Sequence, residues 1–195
     1  MKILYIHGLG SSGNSRTVKV LRELMPNDEI LAPDIPFDPI EAMNFIRVFD
    51  YKVKPDIVIG TSLGGYYAMQ LCYSRKILIN PALFADEDIK NSIGLGEYSY
   101  FSKRVDGNQT YTIDETFIAK LKEQREWFFN QCMLDDEFSW HCTAMFADND
   151  ELFSHIDDYK NLFQGKCITF RGSHRLTEEN IKDVLIPQIL SVINE

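Results

Sequence analysis

The apolar residues of this chain fall into two alternating patterns. Lys2 to Ile6, Glu29 to Ala32, Ile57 to Gly60, Lys76 to Ile79, Trp140 to Phe146 and Lys166 to Arg171 are brief runs, largely β-branched or aromatic, and they predict strands. Between them, apolar positions recur at helical spacing. Val18, Val20, Leu21 and Leu24 predict a helix from Arg16 to Leu24, with Asn14 or Ser15 as its cap and Pro26 beyond its end. Ile40, Met43, Ile46 and Phe49 predict a second helix, entered from a loop punctuated by Pro33, Pro36 and Pro39 and ended by Pro55. Further helices are expected from Ser62 to about Tyr73, from Asp114 to Asn130, near Phe153 to Phe163, and from about Glu178 to Val192. Strand alternating with helix implies a parallel sheet covered on both faces. The expectation is therefore one compact α/β domain over residues 1–195, with about six mostly parallel strands and no repeat or interdomain linker.

One segment breaks the alternation. From Asn91 to Tyr111, Gly94, Gly96 and Gly107 are interleaved with Tyr98, Tyr100, Phe101 and Tyr111, which predicts a long, mobile stretch outside the strand–helix pattern. Such stretches are uncommon in compact domains unless they act as lids or binding loops. Two readings stand: an aromatic cap over an apolar substrate group at about residues 91–113, in which Tyr98, Tyr100 and Phe101 touch substrate, or a surface excursion whose rings plug the nearby core.

Composition narrows the classes. Twenty basic against twenty-nine acidic residues give a formal charge of −9 with no basic run, which argues against nucleic acid as a partner. The chain opens on the strand-like Met1 to Ile6, without a signal-peptide pattern, and nothing later approaches a membrane span, so a cytoplasmic location is expected. Cys72, Cys132, Cys142 and Cys167 lack C-x-x-C spacing and read as reduced, packed thiols with no zinc site.

The candidate chemistry begins at Gly60-Thr61-Ser62-Leu63-Gly64, which fits G-x-S-x-G between a buried strand and a helix. There a serine on a tight strand-to-helix turn exposes its hydroxyl at the C-terminal end of a central strand, where free N–H groups and the helix dipole favour developing negative charge. The remaining polar candidates follow in an informative order. Asp148 and Asp150 come after one predicted strand, and His174 in Gly172-Ser173-His174-Arg175 after the next, giving serine, acid, histidine. This is the chain order of α/β-hydrolases, and in a parallel sheet the three loops share one edge. His7, His141 and His155 fit a base role less well, lying in the first loop, at a strand and in a helix. Asp150 is preferred as the acid because it lies farther into the turn; Asp148 is the alternative, and the aspartate not used would cap the helix that follows.

Gly60 to Ala68, Asn80-Pro81-Ala82, the opening His7-Gly8-Leu9-Gly10-Ser11-Ser12 and Asn149-Asp150-Glu151 together resemble the YqiA-like family of small α/β-hydrolase esterases. The resemblance runs over nearly the whole chain, is specific at the serine and opening loops, and is weaker from Asn91 to Trp140. It implies a serine esterase or thioesterase-like hydrolase acting on a small-molecule ester, without metal or organic cofactor, through Ser62, Asp150 and His174. The glycine usual three positions before the acid is Ala147 here. By the same resemblance the first-strand loop supplies the second oxyanion donor, so the pair of backbone donors would be the N–H groups of Leu63 and Leu9. Acyl transfer by the same residues, or ligand binding without turnover, are the alternative functions.

Overall fold

The computed structural model describes residues 1–71, 74–132, 142–163 and 165–194. In chain order the elements are β1 (Lys2–Ile6), α1 (Arg16–Leu24), β2 (Glu29–Leu31), α2 (Pro39–Val53), β3 (Ile57–Thr61), α3 (Leu63–Met69), β4 (Lys76–Ile79), α4 (Ala85–Ser92), β5 (Gly96–Ser99), β6 (Thr110–Ile113), α5 (Glu115–Cys132), β7 (Cys142–Ala147), α6 (Ile156–Leu162) and β8 (Lys166–Phe170). The chain ends in α7 (Glu178–Asn180), a π-helical turn (Ile181–Leu185) and α8 (Ile186–Asn194), which follow one another without a break.

Six strands form one wholly parallel sheet in the order β2-β1-β3-β4-β7-β8. Because side chains alternate along a strand, each strand feeds two separate cores. Leu4, Ile6, Val58, Leu78, Ala144 and Phe146 face one side, against α2, α3 and α5, where Met43, Ile46, Ala68 and Leu121 are buried. Ile3, Tyr5, Ile57, Ile59, Ile77 and Met145 face the other, against Val18 and Leu21 of α1 and Ile189 of α8. Burying each such Leu or Ile stabilises the fold by about 1.5–3 kcal/mol, so residues apolar on both faces are what a doubly covered sheet selects.

Local signals set most boundaries. Asp38 caps α2 by accepting from Ile40 N at 3.0 Å and Glu41 N at 3.2 Å, with Pro39 in the first turn where a missing N–H costs nothing. Ser15 caps α1 through Val18 N at 3.4 Å. The π turn precedes Pro187, whose ring would collide with a carbonyl one α-turn earlier, so the chain widens there.

Two expectations change. The segment expected to lack regular structure instead extends α4 to Ser92 and then forms an antiparallel hairpin, in which Gly96 pairs with Ile113 and Ser99 with Thr110. The reason is alternation within four-residue strands: Tyr111 and Ile113 turn inward and are buried, while Thr110 and Thr112 face solvent, and glycines at positive φ, Gly94, Gly96 and Gly107, make the bends. The helix after Ser62 stops at Met69, and Tyr73 lies outside the described residues. So do Trp140 and His141, the expected start of β7, and Cys72. Cys142 is a buried free thiol and Cys167 a half-buried one. Among the described residues no helix is long and apolar enough to cross a membrane.

Candidate active site

Strand β3 ends at Thr61 and helix α3 starts at Leu63, so Ser62 turns the chain by itself. It does so at φ 55 and ψ −118, a conformation that costs a non-glycine residue on the order of 1–3 kcal/mol. Packing holds it there. Ser62 N donates to Ile79 O at 2.9 Å, and Ser62 O accepts from Tyr66 N at 3.0 Å and Ala82 N at 3.2 Å. The flanking glycines are required by contact: a Cβ on Gly60 would stand 2.4 Å from Gly64 O, and one on Gly64 would stand 2.1 Å from Ile6 O. Ser62 Oγ makes no hydrogen bond among the described residues and does not cap α3. The N–H groups of Leu63, first in α3, and of Leu9, in the loop after β1, take no acceptor among the described residues.

On the same sheet edge, the loops after β7 and β8 meet. His174 Nδ1 donates to Asp150 Oδ2 at 2.8 Å, with both side chains buried. An ionised carboxylate only accepts, so Nδ1 carries the ring proton and Nε2 is the basic nitrogen of the neutral ring. Burial alone would push the Asp150 carboxyl up. The hydrogen bond from His174, with the N–H groups of Leu152 at 2.9 Å and Phe153 at 3.2 Å, outweighs it and holds the carboxyl below its ordinary value. Phe153 packs edge-on against the imidazole, ring centres 4.8 Å apart. Asp148 instead braces the turn after β8, where its Oδ1 accepts from Gly172 N at 3.0 Å and its N–H donates to Phe170 O.

Two residues with no functional role expected from the sequence hold these loops together. Asn80, at the end of β4 with φ 43, accepts from Ala147 N at 2.8 Å through Oδ1 and donates through Nδ2 to Ser173 O at 3.2 Å and His174 O at 3.0 Å. It thereby joins β4, next to the serine strand, to the acid and histidine loops. Asparagine before proline at a strand end, a type that tolerates positive φ, is the available signal. Glu151 Oε2 accepts from His174 N at 2.9 Å, and that contact holds the Glu151 carboxyl below its ordinary value. Nothing in the sequence distinguishes it from its acidic neighbours.

His7 lies in the first-strand loop as a structural staple. Its Nδ1 donates to Gly8 O at 2.9 Å and its Nε2 accepts from Ile35 N at 3.0 Å, which requires the neutral ring. Burial drives its pKa down to about 4, against the pull of Gly8 O. The three aromatic candidates occupy different positions. Tyr98 donates to Ile93 O and Gly94 O and stacks on Tyr111. Tyr100 packs on Tyr111 and carries the Arg104 guanidinium 4.7 Å above its ring centre. Phe101 is 65% exposed, donates its N–H to Gly10 O at 2.7 Å and lies 4.4 Å beneath the Arg175 guanidinium. The hairpin segment thus spans from the loop after β1 to the residue after His174. Among the described residues no three His, Cys, Asp or Glu side chains are placed to hold a metal.

A parallel six-stranded sheet with a strained serine at the end of its central strand, and a histidine–aspartate pair after the last two strands, defines the α/β-hydrolase class of fold. Within it, this chain belongs to the uncharacterised protein family UPF0227, whose model matches residues 2–134. A UPF0227 protein of Enterobacter sp. (strain 638) is 24% identical over an alignment of 135 positions that covers 64% of this chain and 75% of that protein. The family match takes in Ser62 and the segment from Asn91 onward, and it stops before Asp150 and His174, so it is shorter than the resemblance read from the sequence. Among solved structures, Est1E from Butyrivibrio proteoclasticus superposes with a TM-score of 0.70 at 18% identity, covering 100% of this chain and 88% of that one. The Paleococcus ferrophilus monoacylglycerol lipase does so with a TM-score of 0.69 at 13% identity, covering 99% and 94%. At these identities the likeness is one of fold.

Proposed function

We propose that this protein is a serine hydrolase that cleaves a carboxylic ester or thioester through an acyl-enzyme on Ser62. The observation that carries the reading is the buried hydrogen bond from His174 Nδ1 to Asp150 Oδ2 at 2.8 Å, on the sheet edge where Ser62 turns the chain. His174 Nε2 accepts the Ser62 hydroxyl proton as Oγ bonds to the substrate carbonyl carbon. Asp150 stabilises the imidazolium that forms. The bond from that carbon to the leaving oxygen or sulfur then breaks, and the same proton passes to the leaving group. Water, deprotonated by His174, next attacks the acyl carbon and releases the acid and free Ser62. The N–H groups of Leu63 and Leu9 receive the oxyanion, and a donor of this kind is worth about 3 kcal/mol of barrier. Acetyl and butyryl p-nitrophenyl ester hydrolysis, paired with intact-mass analysis after a fluorophosphonate probe, tests the reading. Wild type is expected to turn over and take one label, and a folded Ser62→Ala variant to do neither. Equal turnover by that variant would overturn the mechanism.

A further inference from the structure

The loop that carries Leu9 has little to fix it by itself. Gly8, Gly10 and Gly13 fall within six residues, and each adds backbone freedom that is lost on folding. The first part of the loop is a tight turn: Ser11 N donates to Gly8 O at 3.3 Å, and Gly10 takes φ 69, the positive value that a type II turn requires at its third residue. Leu9 is the second residue of that turn, so the seating of the turn decides where its N–H points. The turn lies against the nucleophile, since a Cβ on Gly8 would stand 3.3 Å from Ser62 Cβ and 3.9 Å from Ser62 Oγ.

The far side of the turn is held by the connection between β5 and β6, residues 100–109, which lies about ninety positions along the chain. Phe101 N donates to Gly10 O at 2.7 Å. Packing there is so close that a Cβ on Gly10 would stand 2.6 Å from the Tyr111 hydroxyl oxygen and 2.9 Å from the Phe101 ring. Ser12 is completely buried and its hydroxyl is used in full. Its one proton goes to Lys103 O at 3.0 Å, so Ser102 Oγ, 2.8 Å away, donates to it, and Asn14 N donates to it as well at 3.1 Å. The Asp34 carboxylate bridges the same two segments, accepting from Gly13 N at 2.7 Å and from Val105 N at 2.5 Å. Ile35 closes the ring: its O accepts from Arg104 at 3.1 Å, and its N–H donates to His7 Nε2 at 3.0 Å. The loop is thereby tied at both ends, at His7 and at Ser12 and Gly13, while the Leu9 N–H between them takes no acceptor among the described residues.

We propose that residues 100–109 buttress the oxyanion turn and fix the Leu9 N–H toward Ser62, with Ser12 as the positioning residue through which they do so. The proposal rests on the hydrolase reading above and deepens it by giving the hairpin a part in the chemistry, distinct from covering substrate or filling the core. A donor lowers the barrier in full only when it already points at the developing oxyanion, because a turn free to reorient loses part of the interaction to its own ordering. Ser12 acts through Leu9 and not on the reacting atoms.

The test measures kcat and KM for p-nitrophenyl acetate, the pH profile of kcat/KM and Tm in Ser12→Ala, Ser102→Ala and the double variant. Acylation and deacylation both pass through an oxyanion, so Ser12→Ala is expected to lower kcat by about ten- to a hundredfold with KM within about twofold. The fluorophosphonate labelling rate falls with kcat, while the pH profile keeps its midpoint because His174 and Asp150 are untouched. Ser102→Ala removes one of the three contacts from a half-buried position, so a loss of about three- to tenfold is expected. The double variant falls no further than Ser12→Ala, since both changes break the same clamp. A merely structural clamp would lower Tm and leave kcat of the folded variants within twofold of wild type, and that result overturns the proposal. So does a loss carried in KM, or a displaced pH profile. Ser102→Ala alone decides the matter if Ser12→Ala fails to fold, since unchanged kcat there refutes the buttress. Wild type that is labelled and active beside unaffected variants refutes only this proposal; wild type neither labelled nor active refutes the hydrolase reading with it.

Discussion

Replacing Asp150 by asparagine tests the site at its most specific contact. Asp150 accepts three hydrogen bonds: Oδ1 accepts from Leu152 N and Phe153 N, and Oδ2 accepts from His174 Nδ1. An amide has one oxygen. Kept on the two backbone N–H groups, it presents Nδ2 to the imidazole, and a donor facing Nδ1 forces the ring proton onto Nε2. The nitrogen that should take the Ser62 proton is then already protonated. A triad aspartate-to-asparagine change of this kind lowers kcat by about 10⁴, which is about 5.4 kcal/mol of barrier at about 1.36 kcal/mol per factor of ten. Little of this should register as instability at neutral pH, because size and two of the three contacts are retained. Asp148→Asn provides the contrast. Its one side-chain hydrogen bond among the described residues, with Gly172 N, can be kept by an amide oxygen, so a change in kcat of less than about threefold is expected. The assay is kcat/KM for p-nitrophenyl acetate on both variants, with fluorophosphonate labelling rates and thermal unfolding alongside. An Asp150→Asn variant within tenfold of wild type, or an Asp148→Asn variant that falls further, would refute the assignment of the acid.

Ser62→Gly should abolish turnover while raising stability by about 1 kcal/mol, read as a higher urea midpoint, because glycine relieves the φ 55 strain at a smaller entropic cost; a lower midpoint would show that the turn stores no strain. Two histidines, the buried His7 and the half-buried His155, bend the stability–pH curve in opposite directions. His7 has its pKa depressed to about 4, so as pH falls from about 6.5 toward 4 the unfolded chain binds a proton that the folded one refuses, and up to about 3 kcal/mol is lost. His7→Gln should flatten that acid limb in urea titrations run at several pH values, and an unchanged limb would count against the buried neutral ring. His155 faces two carboxylates, with Nε2 at 2.9 Å from Asp88 and Nδ1 at 3.0 Å from Asp158. Burial opposes its charge, but these partners win and raise its pKa. Its contribution is therefore complete below about pH 6.5 and is lost as pH rises through the raised value. His155→Gln should cost about 1–3 kcal/mol near pH 6 and much less near pH 9, measured the same way; an equal cost at both would mean that the ring is not charged.

What the sequence determined by itself was the framework and the place of the candidate site. Short β-branched runs alternating with helical periods are enough to specify a doubly covered parallel sheet, because each strand must be apolar on both faces, and its C-terminal edge then gathers the ends of β3, β7 and β8. Ser62 was legible for a steric reason: only glycine fits at positions 60 and 64, where a Cβ would strike Gly64 O or Ile6 O. His174 was legible from its place after the last strand. Which of Asp148 and Asp150 pairs with His174 was not a property of composition or spacing. It was decided by the path of the loop after β7, which turns Asp150 inward to His174 and leaves Asp148 bracing Gly172. Asn80 and Glu151 position His174 through backbone contacts far away in sequence, and the hairpin at residues 96–113 leaves little periodic signal because its strands are only four residues long. Nor could any pattern show that Tyr66 finds a carbonyl while Tyr67, next to it, finds no partner among the described residues. Periodicity reports which face of an element is buried; only the packed structure decides which polar atom within that face meets a partner.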